Sequence, residues 1–340
     1  MKHLNRQILL RKRPVGVPRA DDFEASEGPV ASPGPGEVLL KNLYLSIDPA
    51  IRGWMSEAKS YLPPIQIGAP IRSGTLSQIV ESNADGWPVG QIVQALGTWE
   101  SFSVVPAGQL HGKVERIEGI ALQSMLSVLG GNGLTAYFGL LEVGRPKEGE
   151  TVLVSAAAGG VGSIAGQIAR IKGCRAVGLT GSDEKCAWLT GELGYHSALN
   201  YKETDLRFAL KKLCPNGVDV FFDSVGGEIL NTVLTRLNRR ARVVLCGAIS
   251  QINATEPPPG PSNYLQLLAK SARMEGFTTL DFARRYEEAR IALAHWIREG
   301  KLHYRDEVVE GIDQAPSLFL RLFRGDHRGK LMVKLADPEV

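Results

Sequence analysis

Apolar positions change their spacing near Leu122. Up to about residue 125 they come in short runs: Glu37–Leu45 (EVLLKNLYL), Ile79–Ser82, Gln91–Ala95 and Ser101–Val105. Gly- and Pro-rich breaks separate them, at SPGPG (Ser32–Gly36), WPVG and VPAG. Short β-type runs between turn signals predict an all-β, barrel-like unit. Residues 122–143 carry a helical pattern that Gly130, Gly131 and Gly133 interrupt. After GRPKEGE, strand and helix patterns alternate. Thr151–Ser155 (TVLVS) reads as a strand, and Val161, Ile164, Ala165, Ile168 and Ala169 recur at helical spacing. Strands follow at Arg175–Leu179, Ala198–Asn200, Val218–Asp223 and Ala241–Gly247, with helices at Asp183–Glu192, Glu203–Leu213 and Gly226–Leu237. Such alternation predicts a parallel, doubly wound sheet. The tail predicts a helix over Asp281–Glu299, a strand near Tyr304–Val309, a helix around Asp313–Phe323 and a last strand at Lys330–Leu335. The PPPGP run at 257–261 reads as a loop.

Composition adds limits rather than structure. A length of 340 residues favours about two domains, and 44% apolar with 22% charged residues is ordinary for a globular protein. A formal charge of +3 supplies no basic stripe, so neither nucleic acid nor a membrane surface is expected as a partner. No apolar run approaches the roughly 18 residues that span a bilayer. The start, MKHLNRQILLRKRP, lacks the long apolar stretch and cleavage site of a signal peptide, so a cytoplasmic location is expected. Cys174, Cys186, Cys214 and Cys246 are scattered without CxxC pairs or nearby His, which predicts reduced thiols and no zinc site. His3, His111, His196, His295 and His303 have no partner in sequence and read as structural or surface groups.

The chemistry concentrates at Ala156–Gly162 (AAAGGVG), between the TVLVS strand and an amphipathic helix. Its spacing, Ala156-x-x-Gly159-x-x-Gly162, is an alanine-first variant of the dinucleotide fingerprint; the alternative is a purely structural tight turn. Small residues let a backbone approach a pyrophosphate, and the helix start offers free N–H groups and positive dipole charge. About 20 residues on, an NAD site places Asp or Glu against the ribose 2′-hydroxyl. This chain has Gly178, Thr180, Gly181 and Ser182 there. Asp183 and Glu184 fall in the first turn of the next helix, where acids also start helices. Lys185 shares that turn; it reads either as a 2′-phosphate ligand or as a solvated surface lysine. The pattern favours NADP over NAD.

Several long motifs then identify a resemblance. They are NRQILLRKRPVG (5–16), LYLSIDPAIRGWM (43–55), GLTAYFGLLEVG (133–144), AAAGGVGSIAGQIARIKGCRAVGLTGSDEKC (156–186), LNYK (199–202), FFDSVGG (221–227), CGAISQIN (246–253) and RMEGF (273–277). In this order they resemble the zinc-free branch of the medium-chain dehydrogenase/reductases, which includes prostaglandin, curcumin and plant double-bond reductases. The resemblance implies a GroES-like β domain (residues 1–125 and 302–340) with an inserted Rossmann domain (126–301). It implies NADPH-dependent reduction of the C=C bond of α,β-unsaturated ketones and aldehydes, without a metal, in a homodimer. Lys185 and Tyr201 would hold the 2′-phosphate, with Gly181 and Ser182 nearby. Ala157, Gly159, Gly160, Val161 and Gly162 would cradle the pyrophosphate. Cys246, Ser250 and Phe277 would lie along the nicotinamide–ribose end. The family's phosphate-side Asn falls at His327. Asn132 stands where relatives often carry Thr and Ser224 where they carry Asn; both still offer hydrogen bonds to the cofactor.

Hydride addition to the β-carbon builds negative charge on the carbonyl oxygen, so a donor there and a proton for the α-carbon complete the reaction. Tyr61, in SYLPP (60–64), matches a family tyrosine facing that oxygen; the alternative is a loop aromatic packed on Pro63 and Pro64. Two further family tyrosines are Ile252 and Ala50 here, which strips hydroxyls from the expected substrate pocket. Asp48 and Arg52 read as a local ion pair or as part of the cleft floor. The competing functions are a zinc-free quinone reductase and a non-catalytic NADPH-binding sensor.

Overall fold

The computed structural model describes residues 4–58 and 60–339; His3 lies outside the described residues. The chain folds as two compact units, one of Met1–Leu126, Asp306–His327 and Leu331–Val340, the other of Ser127–Arg305 and Arg328–Lys330.

The first unit opens with the antiparallel hairpin of β1 (Leu4–Leu10) and β2 (Phe23–Pro29). It continues with β3 (Glu37–Ile47), β4 (Arg72–Ser82), β5 (Ile92–Thr98), β6 (Phe102–Pro106) and β7 (Leu110–Lys113). Between the halves of this unit, the second unit supplies β8 (Thr151–Val154), β9 (Arg175–Thr180), β10 (Ser197–Asn200), β11 (Val218–Asp223), β12 (Leu237–Leu245) and β13 (Arg273–Gly276). The chain then returns with β14 (Asp306–Glu310) and β15 (Lys330–Lys334).

In the first unit the sheet runs β14-β15-β3-β4-β5-β7, with β6 also on β3. Strand β3 pairs antiparallel with β4, β6 and β15. Its core gathers the fully buried Trp99, which stacks on Phe23 at 5.8 Å and meets the Phe319 ring edge-on at 5.9 Å. The buried Glu100 carboxylate accepts from Asn5 Nδ2 (2.9 Å), Gln7 Nε2 (2.7 Å), Ser103 Oγ (3.0 Å) and Thr98 Oγ1, which ties β1 to this sheet.

In the second unit the order is β10-β9-β8-β11-β12-β13, every pair parallel. Helices cover a parallel sheet on both faces, so its strands are apolar runs rather than alternations. All four residues of β8 are buried, as are Val220, Phe221, Phe222 and Asp223 of β11. The expected α/β class, a β unit with an inserted doubly wound sheet, holds.

Several boundaries moved. The helix expected over Gly226–Leu237 ends at Leu234, and Leu237 starts β12. Leu237 has helical spacing from Val233, but it is buried opposite Val218 in the sheet. The helix expected from Glu203 begins at Leu206, because Asp205 Oδ1 accepts the N–H groups of Arg207 (2.9 Å) and Phe208 (3.3 Å). Residues 122–143 divide into a 3-10 turn (Leu122–Leu126), an α-helix (Gly131–Phe138) and a π-turn (Gly139–Gly144). The long helix expected from Asp281 is a 3-10 stretch, Thr279–Arg285, kinked at Phe282, followed by an α-helix over Tyr286–Arg298. Strand β13 carries no alternation, and the sequence pattern does not reveal it. Among the described residues, no helix is long and apolar enough to cross a membrane.

Candidate functional site

In a parallel sheet of this order the strand sequence reverses between β8 and β11, and the carboxyl ends beside that reversal open a crevice for ligands. The sequence-predicted residues of the second unit gather at these ends. Ala157–Gly162 follow β8, Gly181–Lys185 follow β9, and Tyr201 follows β10. Ser224 follows β11, Cys246 and Ser250 follow β12, and Phe277 follows β13.

After β8 the chain turns sharply. Ala156 takes a left-handed φ of 47°, which costs a non-glycine residue about 1–2 kcal/mol. The turn closes with Gly159 N–H donating to Ala156 O (2.9 Å), and Ala157 N–H donates to Leu179 O (3.0 Å) on β9. A Cβ on Gly162 would run into the Ala156 carbonyl and sit 2.8 Å from Ala157 Cα. One on Gly160 would sit 2.6 Å from Asn132 Nδ2, so Asn132 lies against the loop. The helix Gly162–Ile171 has no side-chain cap; its first turn is closed by the loop backbone, with Ser163 N–H donating to Gly159 O (3.0 Å) and Ile164 N–H to Val161 O (3.1 Å). On the far side, Gly329 N–H donates to Ala158 O (2.9 Å), and Gly159 and Gly329 form a parallel bridge.

After β9 the acids of the next helix are already engaged. Ser182 Oγ caps that helix by accepting Lys185 N–H (3.3 Å). Asp183 Oδ1 accepts from Asn200 Nδ2 (3.1 Å), and Glu184 Oε1 pairs with Arg328 Nη1 (3.3 Å). Tyr201 N–H donates to Thr180 O (3.0 Å), and burial pushes its phenol above the ordinary value.

Under β11 sits a buried hydrogen-bonded floor whose role the sequence motif FFDSVGG did not show. Asp223 is fully buried, and its Oδ1 accepts from Ser155 Oγ (2.7 Å), Val225 N–H (3.0 Å) and Gly226 N–H (3.1 Å). Burial raises this carboxyl above its ordinary 3.8, with the hydrogen bonds opposing. Ser155 Oγ in turn accepts Ser224 N–H (2.9 Å). The signal was the DSVGG stretch, where Asp precedes a Gly pair, but its partner Ser155 lies far back in the chain. The loop after β12 is stitched onto the one after β11. Cys246 N–H donates to Asp223 O (2.8 Å), and Ser250 Oγ donates to Val225 O (2.6 Å). Ser224 Oγ is buried beside the Cys246 thiol. Burial pushes that thiol up to about 11, so it stays protonated at neutral pH. Phe277 packs against Gly139, and Ile252 is half-buried in the loop after Ser250.

The other predicted residues belong to the first unit. Ala50 opens the short helix Ala50–Trp54. Arg52 is buried, and its Nη2 donates to the carbonyls of Pro14 (3.2 Å) and Gly16 (3.0 Å), while Asp48 accepts from Ser46 Oγ. Tyr61 is 59% exposed, with its ring edge-on to Trp54 at 6.1 Å. Partial burial, and then the Asp48 carboxylate, hold its phenol above the ordinary value. His327 is half-buried.

Two family models match the chain, described as an N-terminal domain of oxidoreductase over residues 6–112 and as a zinc-binding dehydrogenase over 160–295. The NADPH-dependent curcumin reductase of Escherichia coli is 40% identical and aligns over 99% of both chains. The 2-alkenal reductase (NADP(+)-dependent) of Nicotiana tabacum is 36% identical over 98% of both. The chain belongs to the zinc-free branch of the medium-chain dehydrogenase/reductases. A solved member, CurA from Vibrio vulnificus in complex with NADPH, superposes with a TM-score of 0.91 at 40% identity, covering 98% of this chain and all of that one. The first unit is accordingly the family's GroES-like domain and the second its Rossmann domain. In this reductase no group of three or more His, Cys, Asp or Glu that could hold a metal occurs among the described residues. The cradle over Gly160 and Gly162 and the helix start without a side-chain cap fit a dinucleotide.

Proposed function

We propose that this protein is an NADPH-dependent reductase of the C=C bond in α,β-unsaturated ketones and aldehydes. One observation carries the cofactor half of this reading: both acids beyond β9 are taken up by Asn200 and Arg328, leaving no carboxylate for a ribose 2′-hydroxyl. The substrate half draws support from the tobacco relative, named for 2-alkenals, the simplest conjugated aldehydes.

When bound, NADPH supplies the hydride, which goes to the substrate β-carbon. The loop Ala157–Gly162 holds the pyrophosphate through backbone N–H groups. Lys185 and Tyr201 hold the 2′-phosphate, with Gly181 and Ser182 beside them. Asn132 and Ser224 donate toward the ribose–nicotinamide end, where Cys246, Ser250 and Phe277 contribute mainly backbone and bulk, and His327 takes the place of the family's phosphate-side Asn. Tyr61 hydrogen-bonds the substrate carbonyl oxygen as charge grows on it. Its raised pKa keeps the phenol protonated throughout the neutral range. Ala50 and Ile252 carry no hydroxyl, so the donor role falls on Tyr61. Arg52 shapes the pocket by fixing residues 14–16 rather than by touching substrate. We place the enzyme in the cytoplasm as a homodimer; light scattering is expected to give twice the chain mass.

The test is NADPH oxidation with a panel of enones, enals and quinones, run beside NADH. Turnover of enones and enals with NADPH is expected. Turnover of quinones alone would favour a quinone reductase, and NADPH binding without turnover a sensor. For Tyr61→Phe we expect kcat on a good enone to fall at least about tenfold with KM little changed. Unchanged kcat removes Tyr61 as the donor.

A further inference from the structure

The end of β9 is bare. Gly181 follows its last residue, and Ser182 is occupied in capping the next helix. The space over Gly181 is nevertheless filled. A Cβ there would lie 3.1 Å from Lys202 Cε and 3.5 Å from its Nζ. Lys202 comes from the turn after β10, and that turn is fixed from three sides. Lys202 N–H donates to Asn200 Oδ1 (3.2 Å), Asn200 Nδ2 donates to Asp183 Oδ1 (3.1 Å), and Tyr201 N–H donates to Thr180 O (3.0 Å). Asn200 is itself buried, so this tether is rigid. The Lys202 side chain is exposed and, among the described residues, makes no ion pair.

A cation therefore stands where an NAD site carries its ribose-binding carboxylate. We propose that Lys202 is a second specificity-determining residue for NADPH, its ammonium donating to the 2′-phosphate alongside Lys185 and Tyr201. Asn200 acts as a positioning residue: one end of its amide orients Lys202, and the other draws Asp183 away from the phosphate. An ammonium forms a charge-assisted hydrogen bond and an ion pair with a phosphate oxygen, whereas a neutral 2′-hydroxyl offers it no opposite charge, so the gain is selective for the phosphorylated cofactor. The inference rests on the reading that the adenosine ribose lies beyond β9.

The experiment measures dissociation constants of NADPH, NADH, 2′,5′-ADP and 5′-AMP on the full-length protein by calorimetry. The proteins are wild type, Lys202→Ala, Lys202→Arg and Lys185→Ala. Lys202→Ala is expected to weaken NADPH and 2′,5′-ADP about tenfold while NADH and 5′-AMP stay within twofold, and Lys202→Arg is expected to restore most of the loss. Lost discrimination in Lys185→Ala with none lost in Lys202→Ala overturns the role of Lys202 and leaves the ribose site in place. Unchanged discrimination in both variants overturns the ribose site as well. Equal weakening of all four nucleotides by Lys202→Ala marks the lysine as merely structural and overturns the proposal.

Discussion

A Gly162→Ala enzyme is expected to bind NADPH at least about a hundredfold more weakly than wild type while remaining folded by circular dichroism. The added methyl meets backbone, the Ala156 carbonyl and Ala157 Cα, neither of which can rotate away. Ala156 already holds a left-handed φ, so the turn has little freedom left to yield. The helix Gly162–Ile171 must move outward instead, which costs about 1–3 kcal/mol in overpacking and misaligns the loop N–H groups that we propose hold the pyrophosphate. Small displacements of pre-aligned donors are expensive, because the binding free energy depends on several of them at once. Gly191→Ala is the control, since a methyl there meets nothing within 4 Å, and its affinity should match wild type. Calorimetric titration decides the matter; a Gly162→Ala dissociation constant within threefold of wild type would show that this loop does not hold the cofactor.

Asp223→Ala should be the most destabilising single change near the site. It strips the acceptor from Ser155 Oγ, Val225 N–H and Gly226 N–H, all in the buried floor under β11. Each buried donor left without a partner costs about 1–3 kcal/mol, so a total of about 3–5 kcal/mol and a thermal midpoint lowered by roughly 10 °C are expected. Asp223→Asn keeps an acceptor and should lose much less. The two variants also differ with pH. Burial raises the native carboxyl above 3.8, so the unfolded chain loses this proton first. Between those two values the folded state binds the extra proton, and wild-type stability falls as pH rises across that window. Asp223→Asn should flatten that slope. Scanning calorimetry between acid and neutral pH checks both points; an alanine variant melting within about 2 °C of wild type would sink the argument.

The legibility of this chain follows the range of the forces involved. Strands β8 and β11 announce themselves as unbroken apolar runs because both faces of a parallel sheet are buried, and burial on both faces needs no knowledge of the neighbours. The AAAGGVG loop was readable for a similar reason: strand, small-residue turn and helix are consecutive, so spacing alone reports their geometry. The missing acid at the end of β9 was readable as an absence. Strand β13 was not, since Arg273–Gly276 is a short, largely exposed edge whose strand form comes from pairing with β12 rather than from its own pattern. Asp223 looked like an ordinary residue before a Gly pair until the fold brought Ser155 under it, 68 positions away in the chain. Lys202 read as part of a motif; only parallel pairing of Asn200 with Thr180 lays its ammonium over Gly181. Local sequence thus specified which elements form and where the small-residue turn after β8 falls, because those depend on neighbours along the chain. The Asp223 floor and the Lys202 turn were set by contacts across the sheet, where residues far apart in sequence share one buried floor or one turn.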